Sequence, residues 1–459
     1  MTPQVDLASR WLGGSVIAAS DESFGEKENL LTPAAAAFEP GRYGHRGEIV
    51  DGWETRRRRE PGHDWALIRL GAPGVITSVD VDTSFFTGNF PMACGIEACG
   101  AEGYPSPAEL LGQATEWAEL VPRSPLRGDA HNTFDVADSR RFTHIRLSAF
   151  PDGGVARLRV MGEVIPDPRG LESLTIDLAG QEYGGTVIAS SDDFYNSASL
   201  LNRPDTARSM GEGWETRRRR DSGHDYAVLR LAFAGQVRQL VVDTAHFKYN
   251  ASAEVAVYGC AAADPPGPPP PGPLPGPPPP GLPSDGMPPP GLPPGPPPPG
   301  LPSDGMPPAG PASTGPGSGG PPSGGTPAWV PLLPRTRLQP DTRHVLVVSH
   351  PDPVATVRID AFPDGGISRV RVIGSITPEA RGQAGYRWLN SLPPGQAVSC
   401  LVAAGLEPAV AADVASQRPL TLAWLAGPPG RRYRDADLAA LAQVLNGQAG
   451  PRPSAPEHR

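Results

Sequence analysis

One polar motif occurs twice in the chain, and its residue types suit the binding and conversion of an anionic ligand. The copies span residues 52–64 and 213–225, and each reads Gly-Trp-Glu-Thr, four arginines, two variable residues and Gly-His-Asp. Arginine is the natural bidentate partner of a carboxylate, whereas glutamate and histidine can exchange protons. Because a folded core has little use for four arginines beside Glu, His and Asp, the duplication predicts a ligand site.

The first copy supplies candidates for catalysis and for binding. If the motif is a strand, its period of two places Arg56 and Arg58 on the same face as Glu54, so these two arginines are predicted to bind the substrate. Glu54, His63 and Asp64 are the predicted acid and base groups. A structural alternative stays open for the last two, since Asp64 can cap a turn and His63 can pack on the neighbouring tryptophan.

A second repeated block adds hydrogen-bonding residues after a predicted strand. A Val-Asp-Thr sequence followed by an asparagine occurs in each half of the chain. Asp82 and Asn89 of the first copy are predicted to bind the substrate, and Asx turns are the open alternative for both. The matching residues form a possible second site, which consists of Glu215, Arg217, Arg219, His224, Asp225, Asp243 and Asn250.

The repeat extends beyond these motifs. Residues 149–154, Ala-Phe-Pro-Asp-Gly-Gly, return as residues 361–366, and several other blocks recur in the same order. The spacing between matched blocks changes along the chain, so the blocks are constant while the connecting loops vary. Two tandem domains are therefore predicted over residues 6–165 and 172–374, each of a size that folds alone.

The apolar residues within each repeat follow a pattern typical of β-strands. Residues 65–70 and 75–82 are predicted strands on either side of a turn at residues 71–74. Residues 142–150 and 155–160 flank a Pro-Asp-Gly-Gly sequence that suits a tight hairpin turn, which we assign a structural role. Many short strands without a convincing long helix predict an all-β fold with a β-sandwich or jelly roll in each repeat.

Residues 263–327 interrupt the second repeat. Proline and glycine dominate this stretch, and a 13-residue phrase occurs in it twice. Such a composition cannot form a core and predicts a disordered insertion rich in polyproline II conformations. We interpret it as an expanded surface loop, and a proline-rich ligand for a recognition module is the alternative.

The C-terminal segment, residues 377–459, belongs to neither repeat. Short helices are predicted from about residue 396 to 404 and from 435 to 445, and the remainder is expected to be helical or partly disordered. Residues 388–393 and the Arg-Pro pair that begins at Arg418 are similar to the start of the ureidoimidazoline decarboxylases. A small helical appendage or the remnant of a fusion is the preferred interpretation.

Composition excludes several classes of function. The net charge of −9 argues against a nucleic-acid surface, and no apolar run approaches the roughly 20 residues of a membrane span. Four cysteines in 459 residues do not make a disulfide framework, and no signal sequence is evident, so we expect a cytoplasmic protein. Neither an HxH, an HExxH nor a CxxC spacing occurs, and no metal or other cofactor is predicted.

Taken together, the paired motifs resemble the allantoicase family over about residues 6–374. The resemblance implies two galactose-binding-like β-sandwich domains and the hydrolysis of allantoate to ureidoglycolate and urea. Allantoate is a small carboxylate with two ureido groups. Arginines suit its carboxylate, and Asp82 and Asn89 suit hydrogen bonds to a ureido group. We also expect a homo-oligomer.

The second repeat departs more from the family pattern than the first. Tyr258 aligns with Glu97, Arg343 aligns with His131, and the insertion lies in this half. If only one copy is catalytic, the first is therefore expected to be that copy. The alternative function is a non-catalytic tandem module that binds sugars or anions. The cluster of Glu, His, Asp and arginines favours an enzyme, because sugar-binding faces usually present aromatic side chains.

Overall fold

Two β-rich halves followed by a helical segment make up the computed structural model, which describes residues 4–265, 328–427 and 433–448. The insertion predicted at residues 263–327 lies outside the described residues apart from its first three, and so does the end of the C-terminal segment from residue 449. In the described ranges no helix is long and apolar enough to cross a membrane.

The strands fall into one set for each repeat. The first repeat holds β1 (Val5–Asp6), β2 (Ser15–Ala19), β3 (Tyr43–Gly44), β4 (Gly47–Glu48), β5 (Trp53–Glu54), β6 (Asp64–Asp82), β7 (Ala93–Cys99), β8 (Ala118–Pro125), β9 (His131–Asp135), β10 (Arg141–Phe150), β11 (Gly154–Val155) and β12 (Arg157–Val164), with one short helix, α1 (Pro107–Leu110). The second holds β13 (Thr175–Asp177), β14 (Thr186–Ser190), β15 (Trp214–Glu215), β16 (Asp225–Asp243), β17 (Glu254–Cys260), β18 (Val330–Arg337), β19 (Arg343–Val347), β20 (Val354–Phe362), β21 (Gly366–Ile367) and β22 (Arg369–Ile376).

A 19-residue strand organises each repeat. The first part of β6 pairs with β2 and β10, and its last part pairs with β9 and β12. The same strand therefore runs through both layers of a β-sandwich, and β16 does the same in the second repeat. Apolar side chains of both layers form one buried core in each repeat. The predicted all-β sandwich fold is confirmed.

The turn predicted at residues 71–74 is wrong, because β6 continues through it. Pairing with β10 is interrupted between Arg69 and Gly74, and the amides of Gly71 and Ala72 instead donate to the carbonyl of Leu7 at 2.7 and 3.3 Å. A Cβ on Gly71 would lie 2.7 Å from the backbone nitrogen of Gly14. The glycine thus permits a close approach of another segment to a bulged strand and does not reverse the chain.

The hairpin predicted across residues 151–154 is also wrong. β10 pairs with β6 and β7, and β12 pairs with β1 and β6, so the strands on either side of the turn do not pair with each other. The backbone of the turn bonds to the arginine motif instead. The carbonyl of Pro151 accepts from the amide of Asp64 at 3.1 Å, and that of Gly153 accepts from Thr55 at 3.3 Å.

Buried arginines hold the loop that leads into each motif. Arg157, 1% exposed, donates to the carbonyl of Asp51 at 2.8 Å and to its carboxylate at 2.6 Å. In the second repeat Arg369 reaches the carboxylate of Asp205 at 2.8 Å and the carbonyl of Glu212 at 2.5 Å. A planar guanidinium with five donors can satisfy several carbonyls of one loop at once, which a lysine cannot.

The C-terminal segment is helical. Its helices are α2 (Pro378–Ser391), α3 (Pro394–Ala403), α4 (Pro408–Ser416), α5 (Leu422–Ala426) and α6 (Asp435–Leu445). The two predicted helices correspond to α3 and α6, and the predicted helical appendage is confirmed. Their apolar residues form a separate core that includes Ile165 of the first repeat. Gln396 also donates to the carboxylate of Glu102 at 2.8 Å, so the segment packs on the first repeat.

A buried histidine on β10 makes the stability of the first repeat depend on pH. Burial, followed by the charge of Arg69, lowers the pKa of His144 from 6.5 to about 4. The unfolded chain therefore binds the proton more tightly, and the free energy of unfolding falls as the pH decreases from about 6.5 to about 4. Thr356 occupies the matching position of the second repeat, so threonine is compatible with the fold.

We predict that His144→Thr removes about 2–3 kcal/mol of the stability loss between pH 7 and pH 4. Chemical denaturation at several pH values measures this difference. Replacement of the exposed His45 by threonine is the control and leaves the pH dependence unchanged. Equal slopes for His144→Thr and the wild type would contradict the prediction.

Candidate active site

The arginine motif forms a loop, and its strand ends before the first arginine. β5 covers Trp53 and Glu54, and β6 begins at Asp64. The strand assumed for the arginines is therefore absent, and its period of two cannot decide which of them share a face. Amides of the loop bond to carboxylates instead: Arg56 donates to Asp21 at 2.8 Å and Arg58 donates to Asp152 at 2.8 Å. The second repeat repeats both bonds.

The first and third arginines of each motif are paired with carboxylates. Arg56 lies 3.4 Å from Asp21, and its side chain is mostly exposed. Arg58 lies 2.8 Å from Asp64, whose side chain is 2% exposed. The matching distances in the second repeat are 3.7 Å for Arg217 with Asp192 and 2.7 Å for Arg219 with Asp225. These pairings neutralise the two arginines that the sequence favoured for substrate binding.

Asp64 and Asp225 are held in the protein interior. One oxygen of Asp64 accepts from Arg58 and also from the hydroxyl of Ser20 at 3.0 Å. Asp225 does the same with Ser191 at 2.9 Å. Since the carboxylates join the loop to the start of the long strand, we assign them a structural task in shaping the loop.

The second and fourth arginines remain exposed in both repeats. Among the described residues, Arg57, Arg59, Arg218 and Arg220 have neither a carboxylate nor a hydrogen-bond partner, whereas their neighbours do. Arg218 and Arg220 line a cleft of about 650 Å³ in the second repeat. An open cleft with two unneutralised guanidinium groups attracts an anion.

The cleft also contains the glutamate of the motif and the asparagine of the second repeated block. Asn250 donates to the carboxylate of Glu215 at 2.7 Å, and Asn89 donates to Glu54 at 2.6 Å. Backbone bridges to Gly25 and Asn196 fix the short strands that carry the glutamates. Burial raises the pKa of Glu54, and the bond from Asn89 offsets part of that effect. A carboxyl group at this position can act as an acid, and in the second repeat it shares the cleft with Arg218 and Arg220.

The structure does not bring the motif histidines into this cleft. His63 packs on the ring of Phe150 with centroids 4.6 Å apart, and His224 packs on Phe362 at 4.5 Å. The residues that line the cleft of the second repeat include the turn after Phe362 but not His224. Desolvation and the charges of Arg146 and Arg58 lower the pKa of His63.

The aspartates of the second block are engaged in turns. Asp82 accepts from the amide and hydroxyl of Ser84 at 2.8 and 2.6 Å, and Asp243 accepts from the amide of Ala245 at 2.8 Å. Both form the Asx turns named as the alternative. Asp243 is not among the residues that line the cleft.

Sequence reasoning missed part of the cleft lining. Two tyrosines, Tyr195 and Tyr249, stand at the cleft with 60% and 98% of their surfaces exposed. Alignment of the repeats places Phe24 and Gly88 at these positions. The turn at residues 363–365, which the sequence suggested to be structural only, also lines the cleft. In the sequence, Tyr249 directly precedes the repeated asparagine, and this position could have indicated that it lies at the site.

Within residues 4–265, 328–427 and 433–448, no three His, Cys, Asp or Glu side chains are grouped to hold one metal ion.

Comparison with known proteins gives one consistent result. A family model described as the allantoicase repeat matches residues 5–165, 176–271 and 317–377. A probable allantoicase of Streptomyces coelicolor is 40% identical over 399 residues, which cover 84% of this chain and 89% of the relative. A probable allantoicase of Nocardia farcinica is 43% identical over 373 residues, covering 81% and 94%. The crystal structure of allantoicase from Saccharomyces cerevisiae is 29% identical with a TM-score of 0.58, covering 81% and 93%.

We predict that Asp64→Asn destabilises the protein by about 2–3 kcal/mol, because it leaves the Arg58 guanidinium without its buried partner. Equilibrium unfolding in urea measures the change. Arg56→Gln is the matched control, and it costs less than about 1 kcal/mol because the Arg56 side chain is mostly exposed. Loss of activity in Asp64→Asn with an unchanged free energy of unfolding would instead show a direct chemical role.

Proposed function

The chain belongs to the allantoicase family, which hydrolyses allantoate to ureidoglycolate and urea in purine degradation, and we propose that the reaction takes place beside the glutamate–asparagine pair of each repeat. The observation that carries this proposal is that arginines with and without a carboxylate partner alternate along the motif. Two arginines of each motif are neutralised, while the other two remain free for an anionic substrate.

Recognition of allantoate follows from the groups at the cleft. Arg218 and Arg220 bind the substrate carboxylate, because a guanidinium can donate two parallel hydrogen bonds to it. The side-chain oxygen of Asn250 remains available to accept from a ureido N–H while its amide nitrogen donates to Glu215. Arg57 and Arg59 take the corresponding places in the first repeat.

The glutamate carries the proton that the reaction must move. Hydrolysis breaks the bond between the central carbon of allantoate and one ureido nitrogen, and a water oxygen replaces that nitrogen. The protonated carboxyl of Glu54 or Glu215 donates to the departing nitrogen, and the resulting carboxylate takes a proton from the water. Burial, which raises the pKa of Glu54, favours the protonated form at the start of this cycle.

The non-catalytic binding module receives no support from the relatives. Relatives matched over at least 80% of this chain carry the enzyme name, and the cleft combines arginines with an acid group. We also propose a cytoplasmic location, which suits the four free and buried cysteines. A homo-oligomer is proposed as well. The exposed Val345 and Val347 on β19 are consistent with it, and light scattering would test it.

We predict that the double variant Arg57→Gln/Arg218→Gln lowers kcat/KM for allantoate by about 100-fold or more, mainly through KM, because charge-assisted bonds to the carboxylate are lost. Urea release at varied allantoate concentration measures both constants. The matched control Arg56→Gln/Arg217→Gln removes equal charge from the paired arginines and changes kcat/KM less than about fivefold. Equal effects of the two double variants would refute the assignment.

The glutamates give a second test. Glu54→Gln and Glu215→Gln should each leave about half of the activity, and the double variant should lose about 100-fold or more in kcat, the usual scale for a general acid or base. All three variants should keep the wild-type thermal midpoint, since glutamine can still accept from the asparagine. If one single variant abolishes turnover, only that repeat is catalytic and the two-site proposal is wrong.

A further inference from the structure

Three separately repeated motifs meet in one stack of side chains in each repeat, and in the second repeat this stack lies outside the cleft. In the first repeat, the ring of Phe150 has His63 at 4.6 Å and the guanidinium of Arg123 at 4.6 Å. The second repeat has the same stack, with Phe362 at 4.5 Å from His224 and 4.1 Å from Arg335. We call each histidine–phenylalanine–arginine set the clamp.

The clamp joins the two chain segments that shape the cleft. Its histidine is the last residue of the arginine loop, directly before β6, and its phenylalanine is the last residue of β10, directly before the cleft-lining turn. Its arginine comes from β8 in one repeat and β18 in the other. Because the stack is outside the cleft, it can hold the loop against the turn without touching the substrate.

Core packing does not explain why the clamp is repeated. His63 and Arg123 are exposed, and the residues around the two stacks differ between the repeats. Arg146 pairs with Glu97 beside His63, whereas Asp360 lies 3.1 Å from His224. The three stacked residues are thus the same in both repeats, although the charged residues around them differ. The feature that the two repeats share is the geometry of the stack.

We propose that His63 and His224 are positioning residues that hold the arginine loop against the turn, so that the free arginines of each motif face the substrate. This inference rests on the proposed function of the cleft. The stack requires a flat ring at the histidine position, and it does not require a proton on that ring. Desolvation, followed by the charges of Arg146 and Arg58, lowers the pKa of His63, and this direction is compatible with a stack that does not depend on a charged ring.

Two double variants separate positioning from proton transfer. His63→Ala/His224→Ala removes the rings and should raise KM for allantoate about five- to tenfold while kcat stays within about twofold. His63→Phe/His224→Phe restores a flat ring and should return KM to within about twofold of the wild type. A large loss of kcat in both variants would show that the histidines transfer protons and would overturn the proposal. Wild-type KM in the alanine variant would overturn it as well.

Hydrogen–deuterium exchange tests the clamp independently of catalysis. The amides of Arg56 and Arg58 are hydrogen-bonded to carboxylates, and so are those of Arg217 and Arg219. Exchange in peptides that contain these loops should increase at least about threefold in the alanine variant and remain at the wild-type rate in the phenylalanine variant. Unchanged exchange in the alanine variant would refute the clamp.

The exposed His45→Ala variant is the control for both measurements and should match the wild type. Failure of the proposed function has a different signature: Arg57→Gln/Arg218→Gln would then keep the wild-type KM, whatever the exchange in the histidine variants shows.

Discussion

The buried carboxylate at the first residue of each long strand is the constraint on which the site depends. Asp64 and Asp225 are almost fully enclosed, and each accepts from the third arginine of its motif and from a serine of a neighbouring strand segment. An enclosed carboxylate needs such partners, since its desolvation is costly. The partners tie the arginine loop to the start of the long strand in each repeat.

This constraint divides the arginines of the motif into two pairs with different tasks. The paired arginines bind carboxylates of the protein, and in the proposed site the unpaired ones bind the substrate carboxylate. A motif with four equivalent cations would repel itself and bind anions without a defined orientation. Neutralising alternate members leaves two guanidinium groups beside one carboxylic acid, which matches a substrate that has one carboxylate and a nitrogen to be protonated.

The glutamate–asparagine pair is the same in both repeats, whereas residues at the rim of the cleft in the second repeat have different counterparts in the first. The glutamate–asparagine bond is 2.6 Å in the first repeat and 2.7 Å in the second. At the rim, Tyr249 of the second repeat corresponds to Gly88 of the first. A rim residue contributes little to the core, so it can change without loss of the fold, whereas replacing one member of the bonded pair by a residue without a hydrogen-bonding group leaves the other unpaired.

The sequence alone determined the repeat, the family, the sandwich class and the short list of chemically competent residues. These follow from residue identity and apolar periodicity, which are local properties. Glu54 and Asn89, for example, were named from repeated motifs, and the structure places them in contact. The helices α3 and α6 were likewise predictable, because breakers and apolar spacing delimit them.

Only the tertiary structure decided which arginines are free and where the histidines lie. The amide of Arg56 donates to a carboxylate 35 residues away, and that of Arg58 donates to one 94 residues away. These contacts hold the segment as a loop, so it is not the strand whose alternation would have placed successive arginines on opposite faces. The turns at residues 71–74 and 151–154 were misjudged for the same reason, since distant segments take up their backbone hydrogen bonds. The local sequence shows which charged and hydrogen-bonding groups a segment has. Long-range contacts decide which of these groups already have a partner in the folded protein.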